Sequence, residues 1–163
     1  MSIKPKRRNT MYQVWQPTLS TCGPTSLRMV LDYFEIPHRW CEIYYDTFQN
    51  GATTTQKNMK AAIEKYGLTY DEVRATDTLK ASIETDDVHI LFCKAEGGDH
   101  WVVCKNTANG VRLYNPGSSN WTEEKGKEVY NPKTYFDDNF YESKVINKEY
   151  NLKWKNFGLR IHK

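Results

Sequence analysis

The chain has 163 residues, 39% hydrophobic and 13% aromatic, with a formal net charge of +3 from 23 Lys+Arg and 20 Asp+Glu. That length suits one domain with its own core, at the usual ~100–200 residues per domain. The ring density excludes disorder over most of the chain, and no apolar run approaches the ~18 residues of a membrane-spanning helix.

The only basic cluster is Lys4, Lys6, Arg7 and Arg8. It reads as a solvated, flexible arm over residues 1–11, ahead of a single domain over 12–163, and gives little reason to expect nucleic acid as a partner. No apolar segment of signal-peptide type follows the arm, so a cytoplasmic protein without a membrane partner is expected. Four cysteines, Cys22, Cys41, Cys93 and Cys104, contain no C-x-x-C pair. They read as reduced thiols, and no metal or other cofactor is expected.

A helical pattern begins at Cys22, where Leu27, Val30, Leu31 and Phe34 recur at i, i+3, i+4, i+7. Ser20 and Thr21 are cap-type residues, Pro24 suits the first turn, and Pro37 ends the pattern. A second short helix is expected over 40–48. A third is expected over 56–66, capped from the Thr53–Thr55 run, with Met59, Ala62, Ile63 and Tyr66 on one face and Gly67 as terminator. A weaker helix follows over 79–84. The character then changes to strands: 89–95, a Gly-Gly-Asp turn, 100–106, a hairpin-like loop, and 111–115 ended by Pro116 and Gly117. Residues 118–150 read as loops with one or two strands, and 157–162 as a final strand. Helices followed by antiparallel strands make an α+β plan, with helices packed on a sheet.

Within that plan four residues form a chemical set. Cys22 opens a helix, where unpaired N–H groups and the macrodipole favour an anion and hence a nucleophilic thiolate. His100 opens a strand after glycines and is of the type that takes a thiol proton. Asn115 ends the next strand; a hairpin would bring it beside the start of the His100 strand, where its carbonyl can orient the ring. Its plainer reading is a turn residue before Pro116. Gln16, six residues before Cys22, can supply an oxyanion donor. Cys93 and Cys104 sit in apolar runs and read as buried hydrophobes. Cys41, His38, His89 and His162 have no comparable setting.

The segment QPTLSTCGPTSLRMVLDYF resembles the Gln-x5-Cys-Gly-Pro opening of the bacteriocin-processing, double-glycine-leader peptidases, a papain-like cysteine peptidase family. GATTTQKNMKAAIEKYGL resembles that family's middle helix, and GGDHWVVCKNTANGVRLYNPG its His-aromatic-Val-Val segment and the hairpin to Asp-Pro or Asn-Pro. The resemblance spans residues 12–117. It implies a papain-like fold with Cys22 as nucleophile, His100 as general base and acid, Asn115 as orienter and Gln16 as oxyanion donor. The third member is Asn where transporter-linked members usually have Asp, and the export role does not carry over. Residues 118–163 fall outside the clear match and are candidates for substrate specificity.

The resulting expectation is a thiol hydrolase, a free-standing member acting on a peptide or isopeptide bond of a protein or peptide substrate. An acyltransferase or deamidase on the same fold is the alternative enzyme, and an inactive papain-like binding module the alternative non-enzyme. Pairing of Cys22 with His100 further predicts a thiolate–imidazolium resting pair, with the thiol pKa lowered and the imidazole pKa raised.

Overall fold

The computed structural model describes residues 10–18, 20–48, 53–95, 98–108, 110–117 and 153–163, with the backbone of three two-residue strands between them. The elements run α1 (Cys22–Tyr33), α2 (Trp40–Thr47), α3 (Gln56–Lys65), β1 (Thr69–Val73), α4 (Thr76–Glu84), β2 (Val88–Ala95), β3 (Gly98–Thr107), β4 (Gly110–Tyr114), β5 (Trp121–Thr122), β6 (Lys127–Glu128), β7 (Thr134–Tyr135) and β8 (Lys153–His162). The main sheet is antiparallel in the order β1-β8-β2-β3-β4-β7, and β5 pairs with β6 apart from it.

Period-two alternation divides the sheet between two faces. Ile90, Trp101, Val103, Phe157 and Leu159 pack with Leu27, Val30 and Leu31 of α1 and Met59 and Ile63 of α3. Leu91, Cys93, Val102, Cys104 and Trp154 pack on the other face with Leu79 and Ile83 of α4. Leu27, Val30 and Leu31 of the predicted stripe are buried and Phe34, just past the end of α1, is partly buried; burial also extends over Cys22 to Leu27 without a break, because this part of the helix lies along β3. Full burial of a side chain such as Leu27 stabilises the fold by about 1.5–3 kcal/mol. Cys93 and Cys104 are buried as expected, and Cys41 is exposed.

The structure departs from the sequence reading at several elements. β1 was not expected, because TYDEV is polar and only Val73 is buried; backbone pairing with β8, from Thr69↔His162 to Val73↔Gly158, makes it a strand. β1 therefore interrupts the simple order of helices then strands, falling between α3 and the expected fourth helix. α4 begins at Thr76, three residues earlier than its apolar positions suggest. Gly98 and Asp99 are not a turn but the first rungs of β3, opposite Ala95 and Lys94. β8 begins at Lys153, with a register shift against β2 between Phe92 and Cys93. Asn156 lies in this irregular stretch at φ 56°, and the Trp154 indole closes it with a 2.9 Å bond to the Phe157 carbonyl.

Residues 1–9 of the basic arm and most of 118–150 lie outside the described residues. Met11, assigned to the arm from sequence, is buried in the α1 core. No helix among the described residues is long and apolar enough to cross a membrane.

Candidate active site

Cys22 is the first residue of α1. Thr21 stands at the N-cap position without bonding the helix. Its hydroxyl instead donates to the Thr18 carbonyl at 3.0 Å and accepts from the Thr18 N–H at 3.2 Å. The cap-type residue thus fixes the loop before the helix. Backbone N–H groups of Trp101, Gly23 and Cys22 itself act on the sulfur and favour its thiolate. Burial is the larger effect and pushes the thiol pKa up, and the charge of Asp99 adds to it.

His100 lies near the start of β3, one residue before Trp101. Its Nε2 meets Asn115 Oδ1 at 2.6 Å. The same oxygen accepts the Gly117 N–H at 2.8 Å. Two N–H groups converging on one atom identify it as the amide oxygen, so the ring donates from Nε2 and, when neutral, carries its lone pair on Nδ1. Asn115 is therefore both things the sequence allowed: it makes the turn with Pro116 and Gly117, and that turn aims its carbonyl at His100. A Cβ on Gly117 would lie 3.1 Å from Asn115 Oδ1 and 3.6 Å from His100 Nε2, so the glycine leaves room for this pair. Burial pulls the His100 pKa down, partly offset by the bond to Asn115.

The directions for Cys22 and His100 are opposite to those expected of a thiolate–imidazolium pair. Both groups are removed from water far enough that desolvation outweighs the helix terminus and the hydrogen bonds. Both shifts favour the uncharged forms, a thiol and a neutral imidazole.

Gln16 is also brought to this region. Its backbone N–H donates to the Pro116 carbonyl at 2.8 Å, which ties the loop before α1 to the Asn115 turn. Its side-chain Nε2 donates to the Thr18 carbonyl at 2.7 Å, a bond that uses one of the amide's two hydrogens and fixes its orientation. Gln13, not foreseen from sequence, reinforces the tie: its Nε2 donates to the Asn115 carbonyl at 2.8 Å and to the Val14 carbonyl at 3.0 Å. Trp101 was likewise missed. It is buried, its ring packs against Phe92 and Phe157, and its indole donates to the Thr54 carbonyl at 2.9 Å. An aromatic residue directly after His100 was the only signal available for it.

His89 is buried on the α4 side, bonded to Ser82 and the Asp87 carbonyl. His38 bonds the Ile36 carbonyl and Asp32, and His162 bonds Thr69 and Asp71. None joins the Cys22 region. Among the described residues no three His, Cys, Asp or Glu side chains cluster to hold a metal ion.

The model of the Peptidase C39 family matches residues 10–132. Among solved structures, a double-glycine-motif protease from an AMS/PCAT transporter, determined in complex with the leader peptide, is similar at 16% identity and TM-score 0.62, over 96% of this chain and 94% of that one. The peptidase domain of Streptococcus ComA, a bifunctional ABC transporter of a quorum-sensing pathway, is similar at 16% identity and TM-score 0.64, over 93% and 98%. The Streptococcus mutans ComA peptidase domain is similar at 15% identity and TM-score 0.58, over 93% and 98%. No sequence among curated proteins matches this chain.

Proposed function

Because the chain belongs to the Peptidase C39 family and is a papain-like cysteine peptidase, we propose that it cleaves a peptide bond following a Gly-Gly pair in a leader-type peptide, with Cys22, His100, Asn115 and Gln16 as its working residues. The observation that carries the reading is the 2.6 Å bond between His100 Nε2 and Asn115 Oδ1. It leaves Nδ1 unused, on the residue just before Trp101, whose backbone N–H acts on the Cys22 sulfur.

The cycle starts from the neutral pair. His100 Nδ1 takes the thiol proton as the Cys22 sulfur attacks the substrate carbonyl, so the ion pair forms only as the reaction proceeds. The Cys22 backbone N–H and the Gln16 amide stabilise the oxyanion. The imidazolium passes its proton to the leaving amine, and an acyl-enzyme remains on Cys22. His100 then deprotonates a water molecule that attacks the thioester, and the thiol is restored with release of the new carboxylate. Asn115 holds the ring in one tautomer through both steps, as the third member does in other Cys–His enzymes.

The test combines cleavage and thiol chemistry. Purified wild type should cleave a synthetic peptide containing a Gly-Gly pair, and Cys22→Ala should not. Iodoacetamide labelling of Cys22, followed by peptide mapping, should give a midpoint above the usual thiol value of about 8.5. The acid limb of kcat/KM should lie below the usual imidazole value of about 6.5, because a depressed pKa keeps the base unprotonated to lower pH. Cleavage retained in Cys22→Ala would remove the nucleophile assignment. A labelling midpoint well below 8.5 would restore the ion pair as the resting state.

A further inference from the structure

The Thr53–Thr55 run is only partly explained by the start of α3. Thr55 caps that helix, accepting the Asn58 N–H at 3.1 Å. Thr54 takes no part in the cap, yet it is 5% exposed. A Cβ on Gly23 would lie 2.2 Å from Thr54 Oγ1, 2.4 Å from its Cβ and 2.9 Å from its Cγ2. The Thr54 side chain therefore fills the space that a side chain at residue 23 would occupy. Gly23 is not held in a left-handed conformation, and glycine within a helix is less stable than alanine. Its presence next to Cys22 is accounted for by the close approach of Thr54.

The other end of Thr54 reaches the histidine strand. Its carbonyl accepts the Trp101 indole N–H at 2.9 Å, and the Trp101 backbone N–H acts on the Cys22 sulfur. Cys22, Gly23, Thr54 and Trp101 thus close a ring of contacts between the first turn of α1 and the strand that carries His100. Thr54 Oγ1 is buried without a hydrogen-bond partner among the described residues. The hydroxyl is therefore not what ties this ring together; the branched shape is.

We infer that Thr54 is a positioning residue for the nucleophile, setting the seat of Cys22 against β3 by filling the space above Gly23. This inference rests on Cys22 as nucleophile, and it predicts a specific pattern of size dependence. Thr54→Val keeps the shape and loses only the hydroxyl; Thr54→Ala opens a gap; Gly23→Ala overfills the contact. The double variant Gly23→Ala with Thr54→Gly removes the Thr54 side chain and returns one methyl from the other side of the contact.

Four measurements on the full chain decide it: kcat and KM on the Gly-Gly peptide, the pH profile of Cys22 labelling by iodoacetamide, and the urea midpoint. Thr54→Val should stay near wild type in all of them. Thr54→Ala should lower kcat about tenfold at nearly unchanged KM and shift the labelling profile, since a nucleophile displaced by a fraction of an ångström loses its near-attack geometry. Gly23→Ala should lower kcat by about a hundredfold, and the double variant should recover much of that loss. The inference is overturned if Thr54→Val is as damaging as Thr54→Ala, because the hydroxyl would then be the active part. It is equally overturned if Thr54→Ala lowers only the urea midpoint while kcat and labelling stay at wild type. Should Gly23→Ala fail to fold, the Thr54 pair alone still decides. The labelling profile does not use the peptide, so failure of the proposed cleavage and failure of this positioning role give different results.

Discussion

Two histidines on neighbouring strands, the structural His89 and the proposed general base His100, are buried in the same fold but bonded differently. His89, on β2, is fully buried beneath α4. Its Nδ1 donates to the Asp87 carbonyl at 3.0 Å, and its Nε2 accepts from the Ser82 hydroxyl at 2.6 Å. His100, on β3, gives Nε2 to Asn115, and its other ring nitrogen has no hydrogen-bond partner among the described residues. Burial depresses both pKa values, that of His89 to about 4. Depth and charge state therefore do not separate the two. What the acceptor nitrogen faces does: that of His89 is taken by the Ser82 hydroxyl beneath α4, whereas that of His100 is left without a hydrogen-bond partner among the described residues.

Exchanging the two positions should break the comparison most visibly. His100→Ala should lower kcat by at least about 10³-fold while the urea midpoint stays near wild type, as for loss of a catalytic base. His89→Ala should do the reverse, destabilising the protein while the folded fraction keeps its turnover. A stable, fully active His100→Ala would remove the distinction. Gln16→Ala extends the test from rings to amides and should lower kcat by ~10²–10³ with little change in KM, the usual cost of one lost oxyanion donor. A change confined to KM would move Gln16 from catalysis to substrate binding.

The smallest effect is a pH dependence of stability to which His89, with its pKa lowered to about 4, contributes. Its folded pKa lies below the unfolded value near 6.5, so its contribution is complete above that pH and is lost as pH falls towards about 4. The shift corresponds to roughly 3 kcal/mol. Urea midpoints of wild type should fall across this window, and those of His89→Gln should be much flatter. Parallel curves would assign the acid lability to other groups.

Much of the site was legible because its signals are local. The apolar spacing after Cys22 predicts α1, the two strands flanking residue 109 predict the hairpin, and together they bring Asn115 beside His100. The Gln13–Asn115 tie spans 102 positions in sequence and leaves no periodic trace. β1 carries too few apolar residues to announce itself, since its partner supplies the reason for its conformation. The pKa directions were misjudged because the sequence shows a helix start but not how deeply Cys22 is buried beneath it. From sequence Thr54 reads as one of three capping threonines, since its use depends on Gly23, thirty-one positions away on α1.

The position of β8 between β1 and β2 bears on how the chain folds. Its register runs from Thr69↔His162 on one side to Val88↔Ile161 on the other, so residues 153–162 join two strands that are close in sequence but do not touch each other. Until those residues arrive, β2 presents an open edge and β1 has no sheet to belong to. Contacts of such long sequence separation form slowly. The first turn of α1 and the β3–β4 hairpin, which carry Cys22, His100 and Asn115, are built from local contacts, so they can form before β8 closes the sheet that supports them. Refolding followed by peptide cleavage should therefore lag behind refolding followed by helical circular dichroism.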